Sequence, residues 1–211
     1  MIGGAYDILV STPDLLPLVP DGFWLPVARD FATLKRKYAM DARDQRALKL
    51  WKGAVKRTVV SHAPTNTELK GSATFYKIIT ELVDNFPDLE FQSIRDVPWD
   101  TCMRMLSSVS ILYDQYILGG YGMISVEASI FEAAVFCKLD PEVARHMERE
   151  SGLPQPFIQW IDDDELRTQS FMLVQDQKLQ RKFGGMARVY CQKMHDDPNV
   201  AFRFLKHLGK V

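Results

Sequence analysis

The run Thr58-Val59-Val60-Ser61-His62-Ala63-Pro64-Thr65-Asn66-Thr67-Glu68-Leu69-Lys70-Gly71 decides how this chain reads, together with the apolar series behind it. Val59-Val60 opens a strand that ends at His62-Ala63-Pro64. Phe75, Ile78, Ile79, Leu82, Val83 and Phe86 then recur at i, i+3, i+4, i+7, i+8 and i+11. That spacing is one continuous buried helix face, and Pro87 closes it. Leu89-Glu90-Phe91-Gln92-Ser93-Ile94 follows with the period-two alternation of a strand. A strand, a polar loop, a long helix and a second strand make a βαβ unit.

The same alternation continues toward the C-terminus. Asp100 to Ser108 reads as a short helix and Ile111-Leu112-Tyr113 as a strand. The loop Gly119-Gly120-Tyr121-Gly122 leads into a helix beginning near Met123. Val135-Phe136-Cys137 is a further strand, Glu142 to Glu150 a helix, and Phe157-Ile158-Gln159-Trp160 a strand. Helices over Asp163–Gln175, Asp176–His195 and Asn199–Leu208 complete the chain. Alternating strands and helices predict an α/β fold, a doubly wound, mostly parallel sheet covered on both faces, with a helical C-terminal tail.

Toward the N-terminus the pattern changes. Tyr6-Asp7-Ile8-Leu9-Val10 is a short apolar strand, after which Pro17, Pro20 and Pro26 forbid a regular helix interior. Residues 29–57 are crowded with Arg and Lys, among them Arg29, Lys35, Arg36, Lys37, Lys49 and Lys52, over a thin stripe of Leu34, Tyr38, Leu48 and Trp51. They read as a basic helical linker, solvated on one side, with aromatics too sparse for a nucleic-acid stacking platform.

Composition excludes classes rather than naming one. The 211 residues are 46% apolar and 25% charged, which removes disordered and fibrous proteins. Lys+Arg 26 against Asp+Glu 27 gives no overall field to attract nucleic acid or anionic lipid. No apolar run approaches the roughly 18 residues of a membrane span. The first basic residue is Arg29, so the N-terminus lacks a signal peptide's charged start. Cys102, Cys137 and Cys191 are odd in number and far apart, which predicts free thiols in a reducing, cytoplasmic setting. His62, His146, His195 and His207 lack metal-ligand spacing, so no metal is expected.

In doubly wound sheets ligands bind outside the carboxyl ends of the strands. Two strand-to-helix loops therefore carry the functional candidates. The first offers Thr65, Asn66 and, at a helix start, Lys70. A cation there opposes the helix dipole, unless an anion sits between it and the free N–H groups. A solvated lysine beside a turn glycine is the plainer alternative. The second loop exposes backbone at Gly120 and Gly122 and places Glu127 in the helix that follows, where a carboxylate can accept from ribose hydroxyls. His62, Asp114 and Tyr121 border the same crevice. Neither loop is a Walker P-loop or a Gly-x-Gly-x-x-Gly fingerprint. The acidic run Asp162–Glu165 reads as the cap of the next helix.

The stretch from Val60 to Thr65 with Leu69-Lys70-Gly71 resembles the opening of the C-terminal domain of GT-B-fold glycosyltransferases. Asp114-Gln115, Gly120-Tyr121-Gly122 and Val126-Glu127-Ala128 are similar to the donor-binding segment of those enzymes. Ala187 to Asp196 is similar to their closing helix. Ser11-Thr12-Pro13-Asp14-Leu15-Leu16 and Trp24-Leu25-Pro26 resemble the end of their first domain and the crossing between domains.

The resemblance implies a Rossmann-like domain over 58–211 that binds a nucleotide-diphospho-sugar without a metal. It makes residues 1–28 the remnant of a first domain and of the interdomain crossing. Carried over, Lys70 faces the diphosphate with Thr65 and Asn66 near it, Gly120 and Gly122 present backbone to the donor, and Glu127 takes the ribose. A second chain would then supply the acceptor domain; the alternative is a degenerate, glycosyltransferase-like structural or assembly module.

Three positions depart from the family pattern. Gly119 stands where a second glutamate is frequent, and Asn66-Thr67-Glu68 precede Lys70 where a basic partner is common. Ile130-Phe131-Glu132-Ala133-Ala134-Val135 replaces a Gly-Lys-Pro-Val type turn.

Overall fold

The structure is a computed structural model that describes residues 8–19, 21–39 and 57–210. Tyr6, Asp7, Pro20, Leu48, Lys49, Trp51 and Lys52, and with them much of the expected basic linker, lie outside the described residues. Four parallel strands form the central sheet: β3 (Thr58–His62), β4 (Leu89–Ser93), β5 (Ile111–Gln115) and β6 (Ala134–Cys137). Their order is β4-β3-β5-β6, each neighbouring pair parallel. From β3 the chain steps outward to β4, then crosses back to β5 on the other side. The carboxyl ends of β3 and β5 therefore flank the topological switch point, where such sheets open a crevice.

Helices cover both faces because strand side chains alternate. Val60, Ile111, Tyr113, Ala134 and Phe136 point to one face, where they pack with α2 (Ser72–Asn85) and α6 (Asp163–Gln175). Val59, Leu112, Val135 and Cys137 point to the other. There they meet α3 (Trp99–Leu106), α4 (Met123–Ile130), α5 (Pro141–Ser151) and α7 (Gln177–His195). The expected face of α2 is buried at Phe75, Ile78, Ile79 and Leu82, but Val83 is 40% exposed and Phe86 only half-buried, so the face is not continuous to its end. Asp162 caps α6 as the acidic run predicts, its carboxylate accepting from the Glu165 N–H at 2.9 Å. Among the described residues no helix is long and apolar enough to cross a membrane.

Two strand assignments need correction. Phe157–Trp160 is not a fifth strand of this sheet; it touches β6 through a single bridge, Phe136 to Ile158. The side-chain amide of Gln159 replaces the rest of the ladder, donating to the Cys137 carbonyl at 2.5 Å and accepting from the Leu139 N–H at 2.8 Å. Conversely, Phe23–Trp24 (β2) pairs in parallel with Leu9–Val10 (β1), where sequence reading sees only loop. Between them Pro13–Leu18 forms a 3-10 turn, which tolerates the internal Pro17.

The N-terminal segment is tied to the C-terminal helices. The Arg29 N–H donates to the His195 carbonyl at 2.7 Å, and the Asp197 N–H to the Arg29 carbonyl at 3.1 Å. Helix α1 (Phe31–Tyr38) buries Phe31 and Tyr38, and Arg203 of α8 (Asp197–His207) donates to the Trp24 carbonyl.

The turn that lacks the family's glycine is made by Glu132, which adopts φ 66. A side chain in that region costs roughly 1–2 kcal/mol. Its carbonyl oxygen stands only 1.9 Å from where a Cβ on Gly184 of α7 would sit, whereas a Cβ on Gly185 meets nothing within 4 Å. Neighbouring glycines in one helix therefore have opposite roles. Gly184→Ala is expected to destabilise the fold by about 3 kcal/mol or more through overpacking. Gly185→Ala should stabilise it by about 0.5–1 kcal/mol through helix propensity. Urea unfolding of the two variants checks the contrast.

Candidate functional site

The loop after β3 is built by Asn66. Its carboxamide oxygen accepts from the N–H groups of Glu68 at 3.0 Å and Leu69 at 2.9 Å, and its carbonyl accepts from the Lys70 N–H. This closed turn delivers Lys70 to the start of α2. Gly71 follows at φ 64, and a Cβ there would lie 2.6 Å from that of Tyr116, so both backbone sign and space demand glycine. Thr65 and Asn66 remain exposed, while Lys70 is only 7% exposed.

The buried ammonium of Lys70 pairs with Asp114 on β5, which is fully buried. The other carboxylate oxygen of Asp114 accepts from the Gly122 N–H at 2.7 Å and the Ser125 hydroxyl at 2.5 Å. An anion does sit between the lysine and a helix N-terminus, and it is the protein's own carboxylate. Two charges taken out of water are stable only with this degree of mutual pairing.

Glu127 is handled differently. One oxygen, Oε1, accepts from Arg29 (Nε at 3.1 Å, a second nitrogen at 3.1 Å) and from the Trp99 indole N–H at 2.9 Å. No protein donor reaches Oε2 among the described residues. Trp99 is 47% exposed beside it. Side chains advance by about 100° per residue round a helix, so Ser125 and Glu127 leave α4 on different sides. At the head of α4, Gly122, Met123 and Ile124 are half-exposed. The Asp114 cluster and Glu127 thus flank the first turn of α4.

His62 and Tyr121 turn inward. His62 Nδ1 bonds the Tyr113 carbonyl at 2.7 Å, so it carries the proton, and Nε2 accepts from the Ser72 hydroxyl at 2.7 Å. Burial lowers the His62 pKa, which keeps the ring neutral. Tyr121 donates to His195 Nε2 at 2.8 Å, and His195 Nδ1 donates to the Val27 carbonyl at 2.9 Å. Gly120 lies against Asp14 of the 3-10 turn, where a Cβ would come within 2.6 Å of the aspartate's own. Sequence reasoning misses Arg29 and Trp99. An isolated tryptophan after Pro98 at a helix start is the only local signal of the second.

No protein-family model and no curated protein matches the sequence. Solved structures do. Anabaena HepE, in complex with UDP and glucose, superposes at TM-score 0.63 over 97% of this chain and 63% of its own, at 12% identity. Sucrose-phosphate synthase from Thermosynechococcus elongatus gives 0.63 over 98% and 58%, at 13% identity. A mutant of S. aureus TarM, in a complex that includes UDP, gives 0.62 over 95% and 43%, at 14% identity. The chain spans less than two thirds of each of these proteins. The fold is the Rossmann-like fold of GT-B glycosyltransferases, in agreement with the resemblance of the motifs.

Removing either member of the Lys70–Asp114 pair leaves the other charge buried. Lys70→Met and Asp114→Asn should each lower unfolding free energy by about 3–5 kcal/mol, with the double variant losing less than their sum. A double-mutant cycle in urea measures the difference.

His195 generates a pH dependence. Burial holds its pKa down at about 4. The unfolded ring titrates at its ordinary 6.5, so between pH 6.5 and 4 the unfolded state holds more protons. Stability contributed by the neutral ring is thus present above pH 6.5 and is lost as pH falls to 4. The loss is on the order of 3 kcal/mol. Urea midpoints across that window should move less in His195→Gln than in the parent.

Proposed function

We propose that this chain is the donor-binding half of a glycosyltransferase, holding a nucleoside diphospho-sugar across the first turn of α4. The observation that carries this reading is the state of Glu127. Arg29 and Trp99 fix its Oε1 and leave Oε2 to accept from a ribose, while the exposed Trp99 ring beside it offers a face for a base. Met123 and Ile124 begin α4, and the first N–H groups of a helix have no partner within it. Together with the positive end of the helix dipole they suit a diphosphate. On this reading Lys70 would add its charge from the other side, shared with Asp114, and Thr65, Asn66, Gly120 and Gly122 would contribute at the rim of the donor site.

The chemistry asked of such a site is modest. Breaking the glycosidic bond builds negative charge on the departing diphosphate, and fixed dipoles stabilise that charge more than the ground state. The acceptor and any catalytic base belong to the other half of the cleft. Sequence beyond this segment or a second chain would provide that half. The UDP complexes of HepE and TarM make uridine nucleotides the first ligands to test.

A second reading, a degenerate module that keeps the fold for assembly, is favoured by two facts. Lys70 and Glu127 are both nearly inaccessible, at 7% and 5% exposed, and the counter-ion of Lys70 is internal. Titration calorimetry with UDP, GDP and ADP separates the two. The donor reading expects saturable binding of at least one of them, weakened roughly tenfold or more in Glu127→Gln and in Trp99→Ala. Absence of nucleotide affinity, together with a stoichiometric co-purifying partner, decides for the module.

A further inference from the structure

A cavity of about 340 Å³ lies between the 3-10 turn and α5, with Leu16 and Pro17 on one wall and Glu142, Arg145, His146 and Arg149 on the other. It is apart from Glu127 and Trp99, and none of its residues has a part in the donor reading. Arg145 and Arg149 are one helical turn apart and face the same way. Neither guanidinium has a carboxylate partner among the described residues, a state they share with Arg36 and Arg181, but only these two stand together on one cavity wall.

The histidine between them is a committed donor. Arg149 donates to His146 Nδ1 at 2.7 Å, which places the ring proton on Nε2. That N–H is buried and without an acceptor among the described residues, as is the indole N–H of Trp24. The Trp24 ring lies 5.7 Å from that of His146. Burial lowers the His146 pKa, so the ring is neutral at pH 7 and keeps this donor pattern.

We propose that this cavity binds a compact phosphate ester of sugar-phosphate size. The two guanidinium forks, neither held by a carboxylate, match the terminal oxygens of a phosphate, which take bidentate pairs. Glu142, an acceptor in the first turn of α5, suits a hydroxyl-bearing remainder rather than a bare anion. The volume sits at the low end of the roughly 300–1,000 Å³ of ligand sites, too small for a nucleotide sugar. Both walls are fastened to the loop before α4. Asp140, which caps α5, donates its N–H to the Gly119 carbonyl at 2.7 Å, and Asp14 of the 3-10 turn abuts Gly120. A ligand here would stiffen that loop.

Calorimetric titration of the chain with glucose 6-phosphate, inorganic phosphate and glucose tests the site. Glucose 6-phosphate should bind saturably and more tightly than phosphate, and glucose should not bind. Arg145→Ala and Arg149→Ala, both at exposed positions that leave the fold intact, should each weaken the ester roughly tenfold or more. Glu127→Gln should leave it unchanged, so failure here is distinguishable from failure of the donor site. Lack of saturable ester binding, or binding that neither arginine variant weakens, overturns the proposal. Inorganic phosphate binding as tightly as the ester overturns the sugar-phosphate assignment.

Discussion

A carboxylate stripped of water at the end of a central strand imposes the arrangement of everything around it. Asp114 sits on β5 beside the switch point, and its charge must be met within the protein because no solvent reaches it. Two segments converge to meet it: the turn closed by Asn66, which brings Lys70, and the head of α4, which brings the Gly122 N–H and the Ser125 hydroxyl. Each of the two loops that enter helices at the carboxyl edge is fixed by that one group. The position of α4, and with it that of Glu127, follows.

The two carboxylates therefore divide the work. Asp114 is saturated, with both oxygens engaged and nothing left to offer. Glu127 is held on one oxygen only, beside an aromatic ring half in solvent. A site that must exchange ligands needs a group of the second kind standing on a framework made rigid by the first, since the alignment of a carboxylate decides what it can accept. The buried lysine belongs to the framework. Its contribution to a bound anion would act through the field at the head of α4 rather than through a mobile ammonium.

Sequence pattern carries the parts of this design that are periodic. The spacing from Phe75 to Leu82 specifies the buried face of α2, and the continuous apolar runs of β5 and β6 mark strands covered on both sides. The glycine loop and the lysine turn mark the two strand ends that matter. The placement of Lys70 at a helix start leaves open a solvated lysine or an anion beside it, and cannot name Asp114, because nothing local links a loop residue to a strand end. Arg29 and Trp99 are illegible for the same reason. Each lies in its own segment and gains meaning only where the sheet and α4 place Glu127 between them. Where backbone hydrogen bonds are replaced by a side chain, as Gln159 does beside β6, alternation reads as a strand that is not there. Glu132 likewise makes by strain a turn for which the resemblance implies a glycine, and Gly184 makes room for its carbonyl on the facing helix.

The segment from Phe23 to Phe31 joins these elements. Its tryptophan supplies a carbonyl to Arg203, its Val27 carbonyl receives His195, and its Arg29 is stitched by backbone to the end of α7 while its side chain grips Glu127. Tyr121, in the loop before α4, reaches the opposite nitrogen of the same histidine. One imidazole thus ties this segment to the glycine loop, and one guanidinium ties it to Glu127. A shift of this segment cannot leave Glu127 as it is, because the group that orients Oε1 moves with the backbone that carries it. Whatever is attached at β1 and β2 is mechanically linked to Glu127, through contacts whose members are buried or half-buried and therefore short of alternative partners.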